Sequence, residues 1–209
     1  MFDDSILKEA NLIFEIENPV HLVNINKKDD FFFNNRFTQE RRIRSYTYEL
    51  LKKAQKQLPN NYYFMIYEAL RPKEKQIQLW NDVVEKMKKR YPELDINSEE
   101  FIAKCDVYAA NPYRQGSGHQ SGAAVDITLC NRDGIEYDMG SFVRDFSNNA
   151  SSENENLSEE AKKNRDILDK ALTSVGFVNY PPEWWHYSFG DRLWARLTKS
   201  EIAIFSNIE

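Results

Sequence analysis

Two short segments, separated in the chain by residues 127 to 182, constrain the fold of this chain more than any other feature. They are Ser117-Gly-His119-Gln-Ser-Gly122-Ala-Ala124-Val-Asp126 and Glu183-Trp184-Trp185-His186. The chain has three histidines, and two of them stand in these segments, each close to a carboxylate. Two imidazoles, an aspartate and a spare glutamate are the donor set of a catalytic zinc site, in which protein groups hold the ion and one position stays open for water. A fold that suits this sequence has to bring both segments to one point.

The local chemistry fits that demand. His119 enters from a loop flanked by Gly118 and Gly122, and Asp126 follows on a stretch, residues 123 to 129, that reads as a strand. Gly122, Ala123 and Ala124 keep the connection slim, so backbone can pass close to an ion. Glu183, three residues before His186, can serve a water at the metal without being a ligand, taking its proton and returning it to a leaving amine. The duller reading makes His119 an ordinary loop histidine and residues 183 to 186 an aromatic surface turn. Each segment alone leaves that open; the pair, in a histidine-poor chain, points to the metal. His21 has no such neighbours and reads as structural or surface. Arg71 ends the run Tyr67-Glu68-Ala69-Leu70 and directly precedes Pro72. Its planar charged fork suits an oxyanion or a carboxylate, and equally a salt bridge to Glu68 or a helix acid; position alone does not choose.

Around these motifs the pattern is that of one α+β domain over residues 1–209, with a small, mainly antiparallel sheet flanked by helices. Residues 1–36 read as an irregular N-terminal segment, with an extended apolar piece at Leu12 to Phe14 and a polar-aromatic stretch from Asp29 to Asn35. Ile43, Tyr46, Leu50, Leu51 and Ala54 recur at helical steps and predict a helix over 38–58. Tyr62 to Tyr67 suits a buried strand. Pro72 starts a second helix that runs to about Arg90, and Asn97 or Ser98 caps a shorter one through Lys104. Residues 147–158, rich in Asn, Ser and Glu, read as a mobile loop or lid. Ser158 opens a third long helix closed by Gly176, and short strands follow at 177–180 and 185–189.

The bulk properties exclude several classes. With 41% hydrophobic residues the chain can bury a sizeable core, and a net charge of −5 with no phosphate-cradling glycine loop argues against nucleic acid. The basic runs at 41–44 and 86–90 read as solvated helix faces. Cys105 and Cys130 lack metal or redox spacing and read as free buried thiols of a reducing compartment. No apolar run has the length of a membrane span, and the acidic start Met1-Phe-Asp-Asp lacks a signal-peptide pattern, so the expected address is cytoplasmic.

These residues resemble the zinc D-alanyl-D-alanine dipeptidases, the VanX-like branch of the D,D-peptidases. Ser117-x-His119-x-x-Gly122-x-Ala124-x-Asp126 matches that group's SxHxxGxAxD signature at every fixed position, and Glu183-Trp-Trp-His186 matches its ExxH element. Leu70-Arg71-Pro72 is similar to its arginine-proline element, usually Tyr-Arg-Pro, and Asp138-Met139-Gly140 to its Asp-Met-Gly turn. The resemblance covers roughly residues 40–195. It implies an α+β zinc-peptidase fold and one zinc ion per chain held by His119, Asp126 and His186. It implies Glu183 as general base and acid, Arg71 as oxyanion stabiliser and Ser117 as a partner of the substrate carboxylate. One departure bears on substrate. The family commonly has an aspartate, expected to hold a substrate ammonium, where a gapless reading of Asp138 to Ser147 puts Arg144; a one-residue shift lets Asp145 serve. The expected activity is hydrolysis of D-Ala-D-Ala or a similar small peptide containing D-amino acids. The alternatives are a D,D- or L,D-carboxypeptidase acting on peptidoglycan stem peptides, and a non-catalytic zinc module, against which the intact Glu183 argues.

Overall fold

The structure, a computed structural model, describes residues 14–15, 19–114, 116–145 and 147–208. Its strands in chain order are Phe14–Glu15 (β1), Leu22–Asn24 (β2), Phe32–Phe33 (β3), Arg42–Arg44 (β4), Tyr63–Glu68 (β5), Ala124–Cys130 (β6), Val178–Tyr180 (β7), Glu183–Ser188 (β8) and Ile202–Ala203 (β9). The helices are Ser45–Gln55 (α1), Lys73–Arg90 (α2), Glu99–Asp106 (α3), Glu159–Thr173 (α4) and Arg192–Thr198 (α5). The main sheet has the spatial order β3-β5-β6-β8-β7, and every pairing in it except β3 with β5 is antiparallel. The expected α+β architecture is the one observed.

Side-chain alternation explains the sheet's two faces. On β6, Val125, Ile127 and Leu129 point into the main core with Phe64 and Ile66 of β5 and Trp185 of β8, all buried. Burying each such aliphatic chain stabilises the fold by about 1.5–3 kcal/mol. Helix α1 adds Leu50, Leu51 and Ala54, and α4 adds Leu168, Ala171 and Leu172, all at three- and four-residue steps. Asp126 projects from the opposite face of β6. A second apolar cluster lies apart from the first: Trp80, Val83 and Met87 of α2 close on Phe101 and Cys105 of α3 and on Ala109. Helices α2 and α3 thus form a small lobe with its own core.

Several expectations are corrected. The helix expected over 38–58 begins only at Ser45, because 42–44 pairs antiparallel with β2. Arg44 is therefore not on a solvated face: it is buried, donating to the carbonyls of Ser121 and Ser206 with its guanidinium over Phe205. The polar-aromatic stretch at 29–35 contains β3, an edge strand of the main sheet. The apolar piece at 12–14 falls mostly outside the described residues. Residues 147–158 make hydrogen bonds to the rest of the domain: the buried Arg165 of α4 donates to the carbonyls of Ser151 and Asn149 as well as Met139, and the Ser152 N–H donates to Pro181 O. Both cysteines are free and buried, and burial pushes their thiols up to about 11 for Cys105 and about 12 for Cys130.

Candidate active site

Sheet register assembles the site. Asp126 on β6 is the cross-strand partner of Glu68 on β5 on one side and of His186 on β8 on the other. Directly opposed residues have Cβ atoms about 4.5–5.5 Å apart, so three polar side chains of distant sequence origin share one face. A register shift in β5 between Ile66 and Glu68 brings Glu68 into this row; bulges of this kind re-aim side chains next to functional sites. The fourth group, His119, comes from a short 3-10 turn, Gly118–Ser121, that feeds β6. Ser117 caps this turn: its Oγ accepts the His119 N–H at 3.1 Å, and its own N–H donates to Gln120 Oε1 at 2.9 Å. Gly122 ends the turn at φ 69°, a left-handed conformation that favours glycine. Gly118 is needed for another reason, since a Cβ there would collide with the Asp191 carboxylate.

The two imidazoles meet edge to face with centroids 4.8 Å apart, and Asp126 Oδ1 lies 3.1 Å from His119 Nε2 and 3.2 Å from His186 Nδ1. The outer nitrogens have partners of their own: His119 Nδ1 is 2.8 Å from Ala69 O, and His186 Nε2 is 3.2 Å from Ser188 Oγ. Assigning the ring protons to those outer nitrogens leaves one lone pair of each imidazole aimed at the Asp126 oxygen. Three converging acceptors, with ligand atoms all within 4.8 Å of one another and all three residues buried, suit a cation, and the nitrogen and oxygen donors suit zinc. His119, Asp126 and His186 are thus brought together as the sequence reading expected.

The same cavity, about 130 Å³, is walled by Arg71, Ser117, Arg144, Tyr180 and Glu183 along with the donor set. Glu183 is enclosed yet partly open to it. Burial, reinforced by the charge of Asp126, raises the Glu183 carboxyl to about 7 against the opposing pull of His186, Arg144 and Arg71. A carboxyl poised there can accept and return a proton near neutral pH. Asp126 behaves oppositely: burial resists its charge, but His119, His186 and Arg144 hold its carboxyl well below the usual range.

Beneath the cavity lies an ion cluster that sequence reasoning named only as one option for Arg71. Glu68 Oε2 accepts from Arg71 Nε at 2.9 Å and also from Arg71 Nη2 and Arg144 Nη2. Burial works against the charges of Glu68 and Arg71, yet Arg71, His119 and Arg144 lower the Glu68 carboxyl, and Glu68 raises the Arg71 guanidinium. Arg71 is therefore both the salt-bridge partner of Glu68 and a cavity residue. Arg144 sits at φ 63° and reaches back over the Phe37 ring at 4.1 Å, with Nη2 3.4 Å from Asp126 Oδ2. Asp145 turns the other way, accepting from Ser147 N at 3.0 Å and Ser147 Oγ at 2.9 Å, and it does not line the cavity. His21 stays outside the site, on a shallow surface groove with Tyr46 and Phe189.

Residues 23–204 match the Peptidase_M15 family, described as D-ala-D-ala dipeptidase. A D-alanyl-D-alanine dipeptidase of Synechocystis sp. is 35% identical over 88 residues, 37% of this chain and 36% of that protein. One of Escherichia coli is 27% identical over 123 residues, 59% of this chain and 53% of that protein. The chain thus spans about half the length or less of these curated relatives. Among solved structures, the LdcB LD-carboxypeptidase superposes with a TM-score of 0.52 at 19% identity, covering 91% of this chain and 86% of the other, a likeness of fold. No helix among the described residues is long and apolar enough to cross a membrane.

Proposed function

This chain belongs to the Peptidase_M15 family, and from that premise we propose that it is a zinc-dependent D-alanyl-D-alanine dipeptidase. The observation that carries the reading is the convergence of His119, Asp126 and His186 within 4.8 Å beside a cavity carboxyl raised to about 7. His119, Asp126 and His186 would hold the zinc ion, which when bound would supply Lewis-acid polarisation of a carbonyl and acidification of a water. Glu183 takes the proton of the attacking water and delivers it to the departing amine. Arg71 keeps a hydrogen on each terminal nitrogen beyond those given to Glu68 and Gln76, and these meet the negative charge that grows on the carbonyl oxygen. The Ser117 hydroxyl, at the cavity edge, receives the substrate carboxylate.

A second reading, a carboxypeptidase acting on the D-alanine end of a longer peptide, is favoured by one observation. The cavity wall carries the Arg144 guanidinium, while Asp145 faces away. A cation beside Asp126 repels a free ammonium and tolerates an acylated nitrogen. Hydrolysis of D-Ala-D-Ala and of N-acetyl-D-Ala-D-Ala by the zinc-loaded protein separates the two. The dipeptidase reading expects D-alanine release from the free dipeptide; cleavage of the blocked compound alone replaces it with the carboxypeptidase.

A further inference from the structure

Gln76, in the first turn of α2, is fully buried, yet it is a polar residue on a helix whose other buried positions are apolar. Its amide is used at both ends. Oε1 accepts from Arg71 Nη1 at 2.8 Å, and Nε2 donates to the Ala110 carbonyl at 2.6 Å, at the rim where the α2–α3 lobe borders the cavity. Glu68 grips the other edge of the same guanidinium through Nε and Nη2. The Arg71 backbone is fixed as well, its N–H donating to His119 O at 3.0 Å. A salt bridge to a single carboxylate oxygen still lets a guanidinium swing about that oxygen; a second acceptor on the opposite nitrogen removes this freedom. A buried amide left unpaired would be costly, so the two contacts hold each other in place.

We propose that Gln76 is a positioning residue: it fixes the plane of the Arg71 guanidinium and ties that plane to the Ala110 rim of the lobe. This rests on the proposed role of Arg71 at the reacting carbonyl. Small misplacements of a group acting on the transition state cost up to about 100-fold in rate. Substrate binding, which does not need that alignment, is spared.

The test is a double-mutant cycle on the full zinc-loaded chain with D-Ala-D-Ala as substrate. Gln76→Met, which keeps the volume and removes both contacts, is expected to lower kcat roughly 10- to 100-fold while KM changes by less than about threefold. In an Arg71→Ala background the same substitution is expected to cost nothing further, because there is no guanidinium to align. Equal losses in both backgrounds would mean a purely structural glutamine and overturn the proposal. Should Gln76→Met fail to fold, Gln76→Glu, which keeps an acceptor opposite Nη1, is expected to hold kcat within about tenfold of the parent; a loss of 100-fold or more would overturn the proposal too. An unchanged kcat in Arg71→Ala alone has a different meaning: it removes the proposed role of Arg71, and Gln76 with it.

Discussion

The two walls of the cavity are built on different terms. The sheet wall carries His119, Asp126, Glu183 and His186 on strands or on a turn feeding one, fixed by register and packed over the largest core. The lobe wall, with Leu79 of α2 and Val107, Ala109 and Ala110 of the segment after α3, carries mostly apolar surface supported by a separate small core. Charged groups need rigid neighbours because misplacing them by a fraction of an ångström changes the chemistry; apolar surface has only to fit. The metal-site groups and Glu183 therefore stand on the sheet or the turn feeding it, and the lobe supplies shape and, through Gln76, a hold on Arg71.

That contrast can be broken most severely at the sheet wall. Asp126→Ala removes the oxygen on which both imidazoles converge and is expected to abolish stoichiometric zinc uptake and detectable turnover, read by metal analysis of the purified protein and an alanine-release assay; retained zinc would contradict the ligand set. Phe101→Ala empties the centre of the lobe core, where a buried phenylalanine is worth about 3–5 kcal/mol. If the walls are independent, calorimetry finds that loss while zinc content stays near one per chain. Arg165→Met removes the donor that three carbonyls share; Met139 O loses its partner, while Asn149 O keeps the Ser141 hydroxyl and Ser151 O the Asn154 N–H, and the substitution is expected to cost about 1–3 kcal/mol in denaturant unfolding. An unchanged midpoint would show that residues 139–151 do not depend on this anchor.

The smallest effect concerns pH. In the metal-free protein the Glu183 carboxyl is raised from an ordinary 4.5 to about 7. A group raised on folding favours the folded state below its unfolded value and loses that contribution as pH climbs through the folded value. Glu183→Gln, neutral throughout, is thus expected to melt above the metal-free parent by a few degrees at pH 8. The gap should close toward pH 4.5. A gap independent of pH would mean that Glu183 is not enclosed as described.

Much of the sheet wall was legible because its residues carry local signals. The glycine-flanked His119, the strand bearing Asp126 and the pair Glu183 and His186 sit in short motifs whose spacing survives folding. The ion cluster was harder to see. Glu68 and Arg144 are 76 positions apart and meet only through a bulge in β5 and a left-handed residue, neither of which periodicity reveals. Arg44 misled for a similar reason: three residues of strand precede α1 and blend into its helical period, so pairing with β2 alone defines them. Gln76 gave no signal beyond a polar residue on the buried side of an amphipathic helix. The N-terminal edge strand β3 was hidden in a stretch too short for alternation to register.

The most direct measurement is paired zinc content and D-Ala-D-Ala hydrolysis for the parent chain and Glu183→Gln. The account predicts one zinc per chain in both, D-alanine release by the parent, and a kcat lower by about 10²–10⁴ in the variant, the range for a lost general base. Equal turnover by both proteins would contradict it, because the proton would then be moving without Glu183.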